Sequence, residues 1–166
     1  MIEVYTGNGK GKTTAALGLA FRAVGQGLRV YMIQFMKAHE YGEVRASKSF
    51  PNFELVQFGR KEFVSKKNPE RIDVELARKG LAHAKEIIGS KKYDMVILDE
   101  INVAIDFGLI PVEEVIELIK DQSAEIILTG RYADDRIIKI ADYVSEIKEV
   151  KHPYKKGETA REGIEY

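Results

Sequence analysis

The sequence has no cysteine and no tryptophan, only four prolines, and no net charge. Without cysteine the chain has no disulfide and no thiolate metal site, so a metal ion would need oxygen or histidine ligands. The 26 basic and 26 acidic side chains balance, which argues against the overall basic field that binds nucleic acid non-specifically. We therefore expect small or locally charged partners, and the absence of cysteine suits the reducing cytoplasm.

Long hydrophobic runs are also absent. No stretch approaches the roughly 20 apolar residues that a membrane-spanning helix needs. Residues 15–23 are the nearest candidate, but Arg22 interrupts them and a strand-like segment and three glycines precede them, which does not fit a signal peptide. We expect a cytoplasmic protein without membrane contact, and 166 residues with 45% hydrophobic composition suit a single domain over residues 1–166.

Strand-like and helix-like segments alternate from end to end, which predicts an α/β fold with a mostly parallel sheet of about six strands flanked by helices. Residues 96–98 and 126–128 are continuous apolar runs, typical of central strands. Residues 143–148 alternate instead, which favours a position nearer an edge. The predicted strands are residues 2–5, 29–35, 53–58, 94–99, 125–129 and 143–148. The predicted helices are residues 12–25, 69–89, 111–121 and 133–141, with a short helix near 41–48.

Residues 7–14 read Gly-Asn-Gly-Lys-Gly-Lys-Thr-Thr and lie between the first strand and the first helix, the setting of a phosphate-binding loop. Glycines let backbone N–H groups curl around an anion, Lys12 adds positive charge, and the hydroxyl of Thr13 suits Mg²⁺. The usual loop reads G-x-x-x-x-G-K-[ST], which would place the first glycine at position 6. This chain has Thr6 there, and the glycine lies one position later, at Gly7. A turn built only to join a strand to a helix is the structural alternative.

A second acidic element follows an apolar strand, where Asp99 and Glu100 come directly after residues 95–98. Ligands gather at the carboxyl ends of strands in open sheets, so these carboxylates suit a magnesium ion, directly or through water. A pair of solvated acids is the alternative. Arg131 ends the next apolar strand, and its residue type fits either a phosphate contact or a surface ion pair.

Taken together, five segments resemble the ATP:corrinoid adenosyltransferases of the CobA/BtuR type. They are residues 7–14, 34–37, 98–102, 128–131 and 151–154, and they follow the order found in that family. The resemblance covers nearly the whole chain. It implies a P-loop NTPase-like fold, and an enzyme that transfers the 5′-deoxyadenosyl group of MgATP to the Co(I) centre of a corrinoid and releases triphosphate.

The resemblance also implies roles for residues. Lys12, Thr13 and Glu100 are the expected catalytic residues, and Thr13, Asp99 and Glu100 are the expected magnesium ligands. ATP is expected to lie reversed relative to ordinary P-loop enzymes. The residues expected to hold the triphosphate are Gly7, Asn8, Gly9, Lys10, Gly11, Lys12, Thr13 and Thr14. A homodimer and an electron-donating flavoprotein or reductase are the expected protein partners.

Phe63 is the residue expected to face the corrinoid, because the family uses aromatic residues after its third strand to displace the lower ligand of cobalt. The family often has a tryptophan two residues later, where this chain has Ser65. Residues 150–166 are expected to become ordered over the active site. A P-loop ATPase or small-molecule kinase, which transfers the γ-phosphoryl group, is the alternative function.

Overall fold

Strands and helices alternate along the described part of the chain, which comprises residues 1–120, 122–153, 157 and 159–164 of a computed structural model. The strands are β1 (Ile2–Thr6), β2 (Val30–Phe35), β3 (Phe53–Phe58), β4 (Met95–Asp99), β5 (Glu125–Thr129) and β6 (Tyr143–Glu146). The helices are α1 (Lys12–Gly25), α2 (Gly42–Ser47), α3 (Arg71–Gly89), α4 (Ile101–Asp106), α5 (Val112–Ile119) and α6 (Asp135–Ile140).

All six strands form one parallel sheet in the order β3-β2-β4-β5-β1-β6. The predicted α/β class and the parallel sheet flanked by helices are confirmed, and the fold is P-loop NTPase-like. Because the strands are parallel, their carboxyl ends lie at one edge. The segments that follow β1, β2, β4 and β5 therefore meet there, although they are far apart in sequence.

The hydrophobic core lies on both faces of the sheet. Strands β2 and β4 are buried along their whole length, as the continuous apolar run at residues 96–98 predicted. On one face, α1 packs through Ala16, Ala20 and Ala23, which share one side of the helix. These small side chains let α1 lie close to the sheet, and this fixes the start of α1 beside the end of β1.

The predicted segments agree with the structure except at some boundaries and at one missed helix. Strand β6 is an exposed edge strand, as predicted, but it ends at Glu146 and not at residue 148. Helix α3 begins at Arg71 and not at residue 69, because Glu70 and Asp73 form a capping box. Helix α4 was not predicted, since its six residues are too few for a helical period to emerge.

Within the part of the chain described here, no helix combines the length and the apolar character that crossing a membrane requires.

Candidate active site

A cavity of about 580 Å³ opens at the carboxyl edge of the sheet, and it brings together most of the residues that the sequence singled out. Its lining includes Asn8, Gly9, Lys10, Gly11, Lys12, Thr13, Thr14, Lys37, Glu43, Glu100 and Arg131. Gly7 and Asp99 are not part of this lining. Two other cavities, of about 780 and 620 Å³, contain no part of the glycine loop.

The glycines of the loop are required for two different reasons. A Cβ atom at Gly7 would lie 2.5 Å from the carbonyl oxygen of Ile147, and one at Gly9 would lie 2.8 Å from the same atom. The Gly9 N–H also donates to that oxygen at 2.7 Å, so the loop is packed against the chain that follows β6. Gly11 has open space around it but a φ of +118°, which favours glycine.

Helix α1 begins at Lys12 without a side-chain cap, so N–H groups of its first turn remain for an anion. The Lys12 ammonium donates to the carbonyl oxygen of Gly9 at 2.7 Å, and the side chain is 8% exposed. Burial lowers the pKa of Lys12, and the charge of Glu100 partly offsets this effect. A positive charge is thus held directly over the loop.

The carboxylate of Asp99 is completely buried and accepts four hydrogen bonds. Its Oδ1 accepts from the hydroxyls of Thr13 at 2.9 Å and Thr129 at 2.6 Å. Its Oδ2 accepts from the Lys37 ammonium at 2.7 Å and the Gln34 amide at 3.1 Å. Asp99 is therefore fully bonded, and it orients Thr13 from behind the cavity.

Lys37 is the cation that compensates the buried charge of Asp99. Burial by itself lowers the pKa of Lys37, but Asp99 and Glu100 together outweigh burial and raise it. The ammonium also lies 3.5 Å from the hydroxyl of Thr13, so it is part of the same network. Lys37 therefore stays charged at neutral pH.

Two glutamines extend this network across the sheet. Gln34 is fully buried at the end of β2 and also donates to Glu43 at 3.1 Å. Gln57 of β3 donates to the side-chain oxygen of Gln34 at 2.9 Å. A continuous chain of hydrogen bonds thus links β3 through β2 to Asp99 at the end of β4.

Glu100 lies in the cavity on a strained backbone. Its φ is +62°, and its N–H donates to the hydroxyl of Thr129 at 3.0 Å. Burial, followed by the negative charge of Asp99, raises the pKa of its carboxyl group, while Lys37 and Lys12 oppose this increase. Such strain and charge crowding are typical of functional sites.

The remaining candidates divide between the cavity and its surroundings. Arg131 lines the cavity, and His152, Gly163 and Ile164 of the C-terminal segment line it as well. Phe63 does not line it: its side chain is fully exposed in the loop between β3 and α3. Tyr154, which belongs to the segment 151–154 of the family resemblance, lies outside the described residues.

Sequence reasoning assigned no role to Lys37, Gln34, Gln57 or Thr129, although residues 34–37 formed part of the resemblance. A signal was present, because Gln34 is a polar residue inside the apolar strand β2. A buried polar side chain requires a hydrogen-bond partner, but the sequence does not identify it.

A model of the family described as ATP:corrinoid adenosyltransferase BtuR/CobO/CobP matches residues 1–166. The chain belongs to this family. The expected adenosyltransferase resemblance is thereby confirmed, and the alternative ATPase or kinase is not favoured.

Three curated proteins that are similar to this chain are also corrinoid adenosyltransferases, in agreement with the family match. A corrinoid adenosyltransferase of Sinorhizobium sp is 36% identical over 171 residues, which span all of this chain and 80% of the relative. One from Escherichia coli (strain K12) is 36% identical over 170 residues, covering all of this chain and 85% of the relative. The corrinoid adenosyltransferase CobA of Salmonella typhimurium (strain LT2) shows the same identity and coverage.

Proposed function

We propose that this chain transfers the 5′-deoxyadenosyl group of MgATP to the Co(I) centre of a corrinoid. Co(I) supplies an electron pair to the 5′ carbon, the Co–C bond forms, and the C–O bond breaks with its electrons leaving on triphosphate. The observation that carries the proposal is the cavity in which the glycine loop, Lys12 and Glu100 meet. The full-length family match supports this chemistry over other uses of a phosphate loop.

The chain's own contribution is to bind and stabilise the departing triphosphate. Negative charge grows on the leaving oxygen in the transition state, so donors aimed at the phosphates accelerate the reaction. The N–H groups at the start of α1 supply part of this stabilisation. Lys12 supplies more, because an ammonium has three donors and the bond to Gly9 uses only one.

The residues present fit a magnesium ion bound together with nucleotide. Among the residues that the structure describes, no group of three or more His, Cys, Asp or Glu could hold a metal alone. Mg²⁺ commonly takes one or two protein ligands and completes its shell with phosphates and water. Thr13 and Glu100 supply such oxygens, and Asp99, the third expected ligand, keeps Thr13 oriented through its hydrogen bond. When bound, Mg²⁺ would neutralise charge on the polyphosphate.

The corrinoid side of the proposal includes Phe63. Its ring is fully exposed, so it is accessible to a bound corrinoid. We also propose the homodimer, the electron-donating flavoprotein or reductase and the cytoplasmic location that the family resemblance implies. Light scattering of the purified protein tests the dimer.

We further propose that the C-terminal segment, residues 150–166, becomes ordered over the active site when substrate binds, because His152, Gly163 and Ile164 line the cavity. Peptides from this segment should exchange amide hydrogen more slowly when MgATP is added. Unchanged exchange in this segment, with slower exchange in residues 7–14, would show that the nucleotide binds without involving it.

Product analysis tests the main proposal. The protein is incubated with MgATP and chemically reduced cob(I)alamin, and we expect a light-sensitive alkylated corrinoid and one triphosphate for each cobalt. Formation of ADP and phosphate without alkylated cobalt would overturn the proposal in favour of phosphoryl transfer. Omitting the corrinoid provides the control, because triphosphate release should then stop.

A further inference from the structure

The loop that carries Phe63 is fastened at its base. Arg60 donates to Asp73 at 2.7 and 3.1 Å and to Glu70 at 2.6 Å, at the start of α3. Gly59 lies so close to the end of β2 that a Cβ atom there would collide with the backbone nitrogen of Lys37. The start of the loop is thus fixed beside the active-site cavity.

A second anchor lies further along the same loop. The Lys66 ammonium donates to both carboxylate oxygens of Asp106, each at 2.7 Å. It also lies 5.9 Å from the ring centre of Phe107 and 5.4 Å from that of Tyr132, within the range of cation–π attraction. One side chain therefore makes four favourable contacts with two other segments of the protein.

These contacts connect the loop to the elements that supply cavity residues. Asp106 ends α4, the helix that begins directly after Glu100. Tyr132 directly follows Arg131, and its φ of +59° shows that the backbone is held in an uncommon conformation. Lys66 thus ties the loop to the end of α4 and to the segment that follows β5.

Phe63 lies midway between the two anchors. Val64 beside it is partly buried against the main core, whereas the Phe63 ring faces solvent. Arg60 and Lys66 are each three residues from Phe63, so each can restrain it to within about 11 Å of a fixed point. Removal of one anchor would leave a longer stretch of loop free to move.

We propose that Lys66 is a positioning residue that holds the Phe63 loop in place for the corrinoid. Isolated surface ion pairs contribute little, but this ammonium binds both oxygens of a carboxylate that is only 20% exposed. The two aromatic rings add to the attraction. The inference rests on the proposed function, because it assigns the restrained loop to the corrinoid and not to ATP.

The test compares Lys66→Ala with Lys66→Arg in the full-length protein. We expect Lys66→Ala to raise the KM for corrinoid about three- to tenfold, with the KM for MgATP unchanged. With cob(II)alamin and MgATP, electron paramagnetic resonance should show a smaller fraction of cobalt that has lost its lower ligand. Lys66→Arg keeps the cation and should restore both quantities. Lys67→Ala, at the exposed neighbouring lysine, is the matched control.

Asp106→Asn provides an independent test of the same contact. If Lys66 acts through Asp106, the double variant should be no worse than either single variant. Fully additive effects in that cycle, or a corrinoid KM in Lys66→Ala equal to that of the unmodified protein, would overturn the proposal. Equal increases in the KM for both substrates would overturn it as well. Failure of the unmodified protein to alkylate cobalt would instead overturn the proposed function, and this inference with it.

Discussion

At the scale of single residues, the site is organised around one buried charge. Asp99 would be costly to bury alone, but the ammonium of Lys37 and three neutral donors satisfy its carboxylate. Because its oxygens are occupied, Asp99 orients its neighbours, whereas Lys12 and Glu100 are among the charged groups that line the cavity. Substitution of Lys12 and substitution of Glu100 should therefore have different effects on activity and stability.

Substitution of Lys12 should remove charge stabilisation from the transition state. We expect Lys12→Ala to lower kcat/KM about 10²- to 10³-fold, since the departing triphosphate loses a cation of the phosphate loop. Steady-state kinetics with cob(I)alamin measure this effect. Lys92 is an exposed lysine that precedes the first residue of β4, away from the cavity at the carboxyl end of that strand. Lys92→Ala should therefore retain full activity. A similar loss in both variants would show that the effect is not local to the loop.

Substitution of Glu100 should stabilise the free protein while impairing its activity. Burial raises the pKa of Glu100 in the folded state, so its ionised form makes folding less favourable at neutral pH. We expect Glu100→Gln to increase the free energy of unfolding by about 1 kcal/mol at pH 7, as measured by urea denaturation. The gain should shrink as pH falls through the raised pKa, because the native carboxyl group is then protonated too.

Glu117→Gln makes the same chemical change at an exposed position of α5 and serves as the control. Its effect on unfolding should stay within about 0.5 kcal/mol at every pH. An equal gain in both variants, or a gain at position 100 that grows in acid, would contradict this account of Glu100.

At the scale of elements, the phosphate loop depends on the far edge of the sheet. Strand β6 pairs with β1, and the carbonyl of Ile147 just beyond β6 receives the N–H of Gly9. The loop is therefore held between the start of α1 on one side and the end of β6 on the other. Contacts within the protein therefore help to fix the shape of the loop, in addition to any contacts with a bound ligand.

Gly7→Ala should disrupt this packing. The added methyl group would meet the Ile147 carbonyl at 2.5 Å, and the residue would keep a φ of +94°. We expect a loss of about 1–3 kcal/mol in unfolding free energy, measured by urea denaturation, together with weaker MgATP binding. Gly18→Ala is the contrasting variant, because Gly18 lies within α1 with nothing near its Cβ position. It should raise stability by about 0.5–1 kcal/mol.

At the scale of the whole molecule, the sheet is a fixed frame that gathers distant segments. The order β3-β2-β4-β5-β1-β6 places the ends of β2, β4 and β5 in succession, with β1 alongside. Thr13 reaches Asp99 across 86 positions of sequence. Ligands that bind at this edge contact several elements at once, so their binding should be coupled to global unfolding.

MgATP at about 100 times its dissociation constant should raise the melting temperature by roughly 5–10 °C. Magnesium triphosphate alone should also stabilise the protein, because the proposed contacts are to phosphate. Differential scanning fluorimetry measures both shifts, and adenosine is the control that lacks phosphate. Stabilisation by adenosine but not by triphosphate would contradict the assignment of residues 7–14.

Much of the fold and part of the site could be predicted from the sequence. Strands β3 and β5 and helix α1 begin and end where the pattern of apolar residues placed them. The missed helix α4 shows the limit of this pattern, because a six-residue helix gives too short a period. The loop at residues 7–14 was recognisable because its glycines, lysine and threonine are consecutive in the chain.

The sequence by itself determined what depends on neighbours along the chain: the alternation of elements, the glycine loop and the acidic pair after β4. Only the tertiary structure decided that Lys37, Gln34 and Thr129 complete the network around Asp99, and that Gly7 and Gly9 pack against Ile147. The physical reason is that periodicity and local hydrogen bonding act over a few residues. Contacts between distant side chains depend on the order of the strands, which no local pattern specifies.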